Sequence, residues 1–96
     1  MDSKVIVLAK KIAENCSNGG YKIENGQYIM KGFYMQSETE SINILGKKYI
    51  YNSPEELIID WTDYIEYALN ETRNNPDEKA VFTEDDLTLA KELTNK

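Results

Sequence analysis

Apolar side chains recur every three or four residues over residues 3–16, which is the spacing of one face of an α-helix. Asp2 or Ser3 can cap the start of this segment, and Asn18-Gly19-Gly20 supplies the glycines that commonly end a helix. We therefore predict a first helix over 3–16, whose buried face comprises Val5, Leu8, Ala9, Ile12, Ala13 and Cys16.

The pattern then changes to the alternation of a β-hairpin around Asn25-Gly26. Both residues accept the positive φ angles that a two-residue type I′ turn requires. Folding the chain about this turn pairs Ile23 with Tyr28 and Tyr21 with Met30, so that all four side chains lie on one face of the sheet. The opposite face is mostly polar, which makes this register self-consistent.

The second strand of this hairpin is predicted to extend to about Gln36, with a bulge or bend at Gly32, where the apolar alternation shifts. A second hairpin follows, in which residues 42–45 and 48–51 flank the turn Gly46-Lys47. Two hairpins in series predict a four-stranded antiparallel meander.

Two helices are predicted after the sheet. The first has Ser53 as its N-cap and Pro54 at its first position, and it extends to about Thr72. The second begins after Thr83 with acidic residues in its first turn, and it ends near Leu93. The longer helix has one broad apolar arc, formed by Leu57, Ile58, Trp61, Tyr64, Ile65, Ala68 and Leu69.

This order of elements, an N-terminal helix, a four-stranded antiparallel sheet and two C-terminal helices, predicts an α+β fold class. The length of 96 residues suits a single domain spanning 1–96. We expect the longer C-terminal helix to pack on the apolar face of the sheet, with the N-terminal helix beside it.

Charge is distributed unevenly along the chain. Residues 1–52 carry seven Lys or Arg and five Asp or Glu, a net charge of +2, whereas residues 53–96 carry four and twelve, a net charge of −8. A dense negative surface repels nucleic acid and attracts basic partners. We therefore predict that the protein binds a basic protein surface and does not bind nucleic acid directly.

The candidate binding site is the acidic side of the longer C-terminal helix. Glu56, Asp60 and Asp63 follow an i, i+4, i+7 spacing that aligns their carboxylates. Ile59 and Tyr67 add apolar area inside this acidic field, as the core of a protein interface requires. The predicted partner-binding residues are Glu56, Ile59, Asp60, Asp63, Glu66, Tyr67 and Glu71.

The alternative is that this acidic face is inert and only keeps the protein solvated, since most runs of charge do no more than that. The chain would then be a structural domain that self-associates, for instance as a homodimer, through a sheet edge or through its tyrosines.

The other chemically interesting residues favour structural roles. The chain has no His, which removes the commonest general base and the commonest metal ligand. Cys16 is predicted to be a buried thiol, and Glu84-Asp85-Asp86 is typical of a first helical turn rather than of a metal site. We therefore predict no catalytic residue, no metal and no cofactor, with an enzyme or a small-ligand binder as the least favoured class.

In its abundance of Lys, Asn, Ile, Glu and Tyr, the chain resembles the small acidic accessory proteins of phages and mobile elements in low-GC bacteria. Some such proteins inhibit nucleases by mimicking DNA. The resemblance, which is one of composition and assigns no residue roles, implies an accessory or inhibitor protein that engages a nucleic-acid-binding partner. The longest apolar run near the N-terminus, Val5 to Ala9, is too short for a signal peptide or a membrane span, so we expect a cytoplasmic protein with no membrane partner.

Overall fold

A computed structural model describes residues 3–16, 20–30, 50–75, 77 and 80–95. The described elements confirm an α+β fold with an N-terminal helix, an antiparallel sheet and C-terminal helices. The predicted strand at 42–45, the turn Gly46-Lys47 and the bend at Gly32 lie outside the described residues. In chain order the elements are α1 (Ser3–Cys16), β1 (Tyr21–Glu24), β2 (Gln27–Met30), β3 (Ile50–Tyr51), α2 (Pro54–Asp60), α3 (Thr62–Asn74) and α4 (Glu84–Thr94).

Helix α1 has the limits that the apolar spacing predicts, and all six residues of its predicted inner face are buried. It packs against α2, which confirms that the N-terminal helix lies beside the first half of the predicted long helix. The side of α1 that faces solvent carries Lys4, Val7 and Lys10.

The first hairpin forms in the predicted register. Tyr21 pairs with Met30 and Ile23 with Tyr28 in the antiparallel pair β1–β2. Asn25 and Gly26 have φ angles of 53° and 81°, which are the left-handed values that a type I′ turn needs. Asn is one of the few residues with a side chain that adopts this region at low cost, and Gly adopts it freely.

The sheet departs from the predicted meander at its third strand. Strand β3 lies directly beside β2, with Tyr28 opposite Tyr51 and Ile29 opposite Ile50, whereas the sequence assigned Ile50 and Tyr51 to a fourth strand, separated from β2 by residues 42–45. The observed order β1–β2–β3 places the two tyrosines side by side, and both are buried. Cross-strand pairs of large side chains stabilise a sheet, and this pairing joins residues that are distant in sequence.

The predicted long helix is interrupted at Trp61, which separates α2 from α3 and has φ −103° and ψ 9°. The Thr62 hydroxyl donates to the carbonyl oxygen of Ile58 at 2.9 Å, a type of contact that bends helices. The start of α2 matches its prediction, since Ser53 Oγ accepts from the backbone N–H of Glu56 at 3.1 Å and Pro54 follows the cap. The cap at Thr83 likewise forms a reciprocal capping box with Asp86.

The first half of the predicted long helix contacts the sheet, although it packs more extensively on α1 and α4. Helix α2 contacts β2, β3 and α4 as well as α1, whereas α3 packs chiefly on α4. The ring of Tyr64 contacts that of Phe82, just before α4, edge to face at 6.0 Å between centroids. Among the described residues, the wide apolar arc of the predicted long helix is therefore shared between the sheet and α4.

Candidate protein-binding face

The helical segment α2–α3 has the inner and outer sides that its sequence predicts. Ile58, Trp61 and Ile65 are fully buried. On the outer side, Ile59 is 43% exposed, Tyr67 is 46% exposed, and Asp63, at four residues from each, is also exposed. We call Ile59, Asp63 and Tyr67 the outer row.

Asp60 is less exposed than the residues of the outer row, whereas the sequence places it on an open acidic ridge. It is half-buried, and its Oδ2 accepts a hydrogen bond of 2.6 Å from the hydroxyl of Tyr51. The same hydroxyl accepts a hydrogen bond of 3.0 Å from the indole N–H of Trp61. The carboxylate of Asp60 thus belongs to a chain of hydrogen bonds that ties β3 to the junction of α2 and α3, which is a structural role.

The other predicted carboxylates divide between exposed and half-buried positions. Glu66 is exposed and forms a salt bridge of 3.2 Å with Lys91 of α4, a type of surface pair that contributes at most about 1 kcal/mol. Glu56 and Glu71 are half-buried at the two ends of the face. The structure therefore brings Ile59, Asp63, Glu66 and Tyr67 together in solvent.

Two of the acids at the start of α4, Asp86 and Glu84, form contacts within the fold. Asp86 closes the capping box of Thr83 and forms a salt bridge of 2.7 Å with Lys11 of α1. Glu84 pairs with Arg73 at the end of α3. Across the described ranges, no group of three or more His, Cys, Asp or Glu side chains could hold a metal ion.

Three contacts of this region escaped the sequence reasoning, namely those between Tyr51 and Asp60, between Glu66 and Lys91, and between Lys11 and Asp86. The last two join groups 25 and 75 residues apart in the chain. No local pattern in the sequence indicates which opposite charges on separate helices will form a salt bridge. These pairs can therefore be identified only from the folded structure.

Cys16 is a buried thiol at the end of α1, as predicted. Its removal from water raises the pKa of the thiol from 9.0 to about 12, while a hydrogen bond with Tyr64 acts weakly in the opposite direction. A nucleophilic cysteine needs a lowered pKa, so this thiol remains protonated and unreactive in the folded protein near neutral pH.

The free energy of unfolding is expected to fall by about 1 kcal/mol between pH 9 and pH 10 through Cys16 alone. In this range the unfolded chain releases the thiol proton, whereas the folded chain, whose Cys16 pKa is about 12, retains it. Since the unfolded state then binds fewer protons, stability declines as the pH rises. Urea titrations at both pH values measure this decline.

The Cys16→Ala variant is the control for this measurement. The pKa values of Tyr21 and Tyr28 are also raised by burial, but both tyrosines are present in either protein, so the difference between the two pH slopes isolates Cys16. Equal slopes in the wild type and the variant would contradict the burial of the thiol.

No protein-family model, curated protein or solved structure matches this chain. In the part of the chain that the structure describes, no helix is both long enough and apolar enough to cross a membrane. The function must therefore be inferred from the surface of the chain itself.

Proposed function

We propose that this chain is a non-enzymatic protein-binding module whose outer row docks on a basic surface of a partner protein. The observation that carries the proposal is the exposure of Ile59 and Tyr67 on either side of Asp63, opposite a fully buried inner side. These two large apolar side chains offer contact area that a purely charged helix face would lack.

The composition of this face fits the anatomy of a protein interface. Interface cores are enriched in aromatic residues, and Tyr contributes more binding energy than most residue types when a partner covers it. Here Ile59 and Tyr67 supply the apolar contact, and Asp63 supplies a charge between them. The matching surface on the partner would carry Lys or Arg beside an apolar side chain.

Charge supports the same choice of partner. Residues 53–96 carry a net charge of −8, and a field of this sign accelerates the approach of a basic protein. Proteins that bind nucleic acid present such basic surfaces. The proposal extends to an accessory or inhibitor protein of a phage or mobile element that occupies the nucleic-acid site of its partner, an extension that rests on composition.

The first test compares wild-type protein with the Asp63→Lys variant as immobilised baits. Basic proteins captured from the native host by the wild type are purified, and their association and dissociation rates are then measured with each bait. We expect Asp63→Lys to slow association about fivefold at low salt and the difference to shrink as salt screens the charge. The double variant Ile59→Ala/Tyr67→Ala is expected to speed dissociation instead, because it removes apolar contact.

Glu24→Lys is the matched control, since it makes the same change in net charge on β1, away from the outer row. Glu24 is exposed and forms a surface salt bridge with Lys22. Association rates that fall equally for Glu24→Lys and Asp63→Lys would reduce the effect to overall charge. If neither Asp63→Lys nor the double variant alters the rates, the outer row is not the binding surface.

The second candidate is a structural domain that self-associates through its sheet. Ile23 and Ile50 are exposed large apolar residues on β1 and β3, which favours this alternative. Contacts between such residues would be insensitive to salt, in contrast to those of the outer row.

A further inference from the structure

We propose that the outer row also accepts a second copy of this chain, which docks the exposed side of its α1 helix there. The inference uses the face assigned above and goes beyond the proposed function, because it names a partner that is always present. Self-association and binding of a foreign basic protein would then compete for Ile59, Asp63 and Tyr67.

Helix α1 carries the complement of the outer row. Val7 is 62% exposed, the highest value among the large apolar residues that the structure describes as exposed, and lysines lie three residues before it and three residues after it. The outer row places an acid between two apolar residues, and α1 places an apolar residue between two bases. Each surface therefore combines apolar contact area with a charge opposite to that of the other surface.

The spacing of these groups along the two helices agrees. With a rise of about 1.5 Å per residue, Val7 and Lys10 are offset by about 4.5 Å along α1, and Asp63 and Tyr67 by about 6 Å along α3. Two helices that pack side by side can thus bring Val7 against Tyr67 while Lys10 approaches Asp63. Charge and apolar contact are satisfied in a single arrangement.

The choice of Lys10 rather than Lys4 follows from the surroundings of α1. A groove of about 530 Å³ between α1 and α4 is lined by Lys4 and Val7 together with Asp85 and Glu92, so carboxylates lie close to Lys4. Lys10 is not among the residues that line this groove, and it is exposed. We therefore assign Lys10, rather than Lys4, as the base that meets the carboxylate of a second copy.

The contact joins two different surfaces, so it is heterologous. Such contacts produce rings or open chains, because in any joined pair one copy keeps a free α1 side and the other keeps a free outer row. Attraction between exposed opposite charges makes the association weak and dependent on salt.

Sedimentation of the full chain over a range of concentrations, at low and at high salt, tests the proposal with four proteins. The wild type is expected to associate at low salt and to dissociate at high salt. Asp63→Lys and Lys10→Glu, studied separately, are each expected to raise the dissociation constant about fivefold, since each turns an attraction into a repulsion. Far-UV circular dichroism confirms that these surface variants are folded.

The fourth protein carries both changes, Asp63→Lys and Lys10→Glu, and it retains the wild-type net charge of −6. It is expected to associate like the wild type, because the charges of the contact are exchanged rather than removed. An equimolar mixture of the two single variants is expected to associate as well, since the altered surface of each one suits the other.

A wild type that stays monomeric at every concentration and salt overturns the proposal. Association that neither single variant weakens also overturns it, because the copies would then associate through another surface such as the sheet. If the single variants lose self-association and the double variant does not recover it, α1 is excluded as the occupant of the outer row. None of these outcomes affects the rates measured with a foreign basic partner, so self-association and the proposed function are tested independently.

Discussion

Replacement of Trp61 by Ala is expected to lower the free energy of unfolding by about 3–5 kcal/mol. Trp61 is the largest fully buried side chain in the described structure, and its ring meets that of Tyr64 edge to face at 5.4 Å between centroids. Removal of the ring leaves a cavity where α2 meets α3, and it removes a donor to the Tyr51 hydroxyl. A domain of this size is stable by only about 5–15 kcal/mol, so the variant loses a large share of its stability.

Urea unfolding followed by far-UV circular dichroism measures this effect, because the substitution removes the single tryptophan and with it the fluorescence signal. Ile59→Ala is the matched control, since Ile59 is only two residues away but 43% exposed. We expect the control to change stability by less than about 0.5 kcal/mol. Similar losses in the two variants would mean that Ile59 points inward, and the outer row would then not exist as a surface.

Local patterns in the sequence predicted those parts of the fold that local interactions determine. The limits of α1 follow from the apolar spacing, and the register of β1–β2 follows from the φ angles that Asn25 and Gly26 permit. The caps at Ser53 and Thr83 involve atoms only three residues apart. In each case the deciding contact lies within a few residues, so sequence alone suffices.

The parts that sequence could not predict depend on contacts between distant residues. The position of β3 beside β2 depends on the pairing of Tyr28 with Tyr51, and no local signal selects that pairing over a meander. The break at Trp61 was not predicted because the apolar helical pattern continues through this residue. Helical periodicity places Asp60 opposite the buried side chains. It carries no information about Tyr51, a strand residue whose hydroxyl binds the Asp60 carboxylate.

For the candidate site, the sequence likewise predicted the features that depend on local structure and missed those that depend on distant contacts. Asp63, Glu66 and Tyr67 are exposed because the phase of α3 determines their direction, and Ile59 is exposed on α2. The partners of the charged groups were not predictable, as Lys91 reaches Glu66 from another helix. The outer row is therefore narrower than the seven residues that the sequence indicated, and its apolar members are a larger part of it.

Tyr51→Phe is expected to lower the free energy of unfolding by about 1–3 kcal/mol, although it removes a single oxygen atom. The Tyr51 hydroxyl accepts from the indole N–H of Trp61 at 3.0 Å and donates to the carboxylate of Asp60 at 2.6 Å. Without it, a buried donor at Trp61 loses this acceptor, and Asp60 loses a donor. Urea unfolding followed by tryptophan fluorescence measures the loss and also reports the altered surroundings of the indole.

Tyr67→Phe provides the control for this substitution, because it removes the same atom from a tyrosine of the outer row that is 46% exposed. Its effect on stability is expected to stay within about 0.5 kcal/mol. A cycle that combines Tyr51→Phe with Asp60→Ala then measures the coupling between the two groups, since only contacting residues deviate from additivity. If Tyr51→Phe is as neutral as Tyr67→Phe and the cycle shows no coupling, Asp60 is not held by β3, and its carboxylate returns to the set of acids available to a partner.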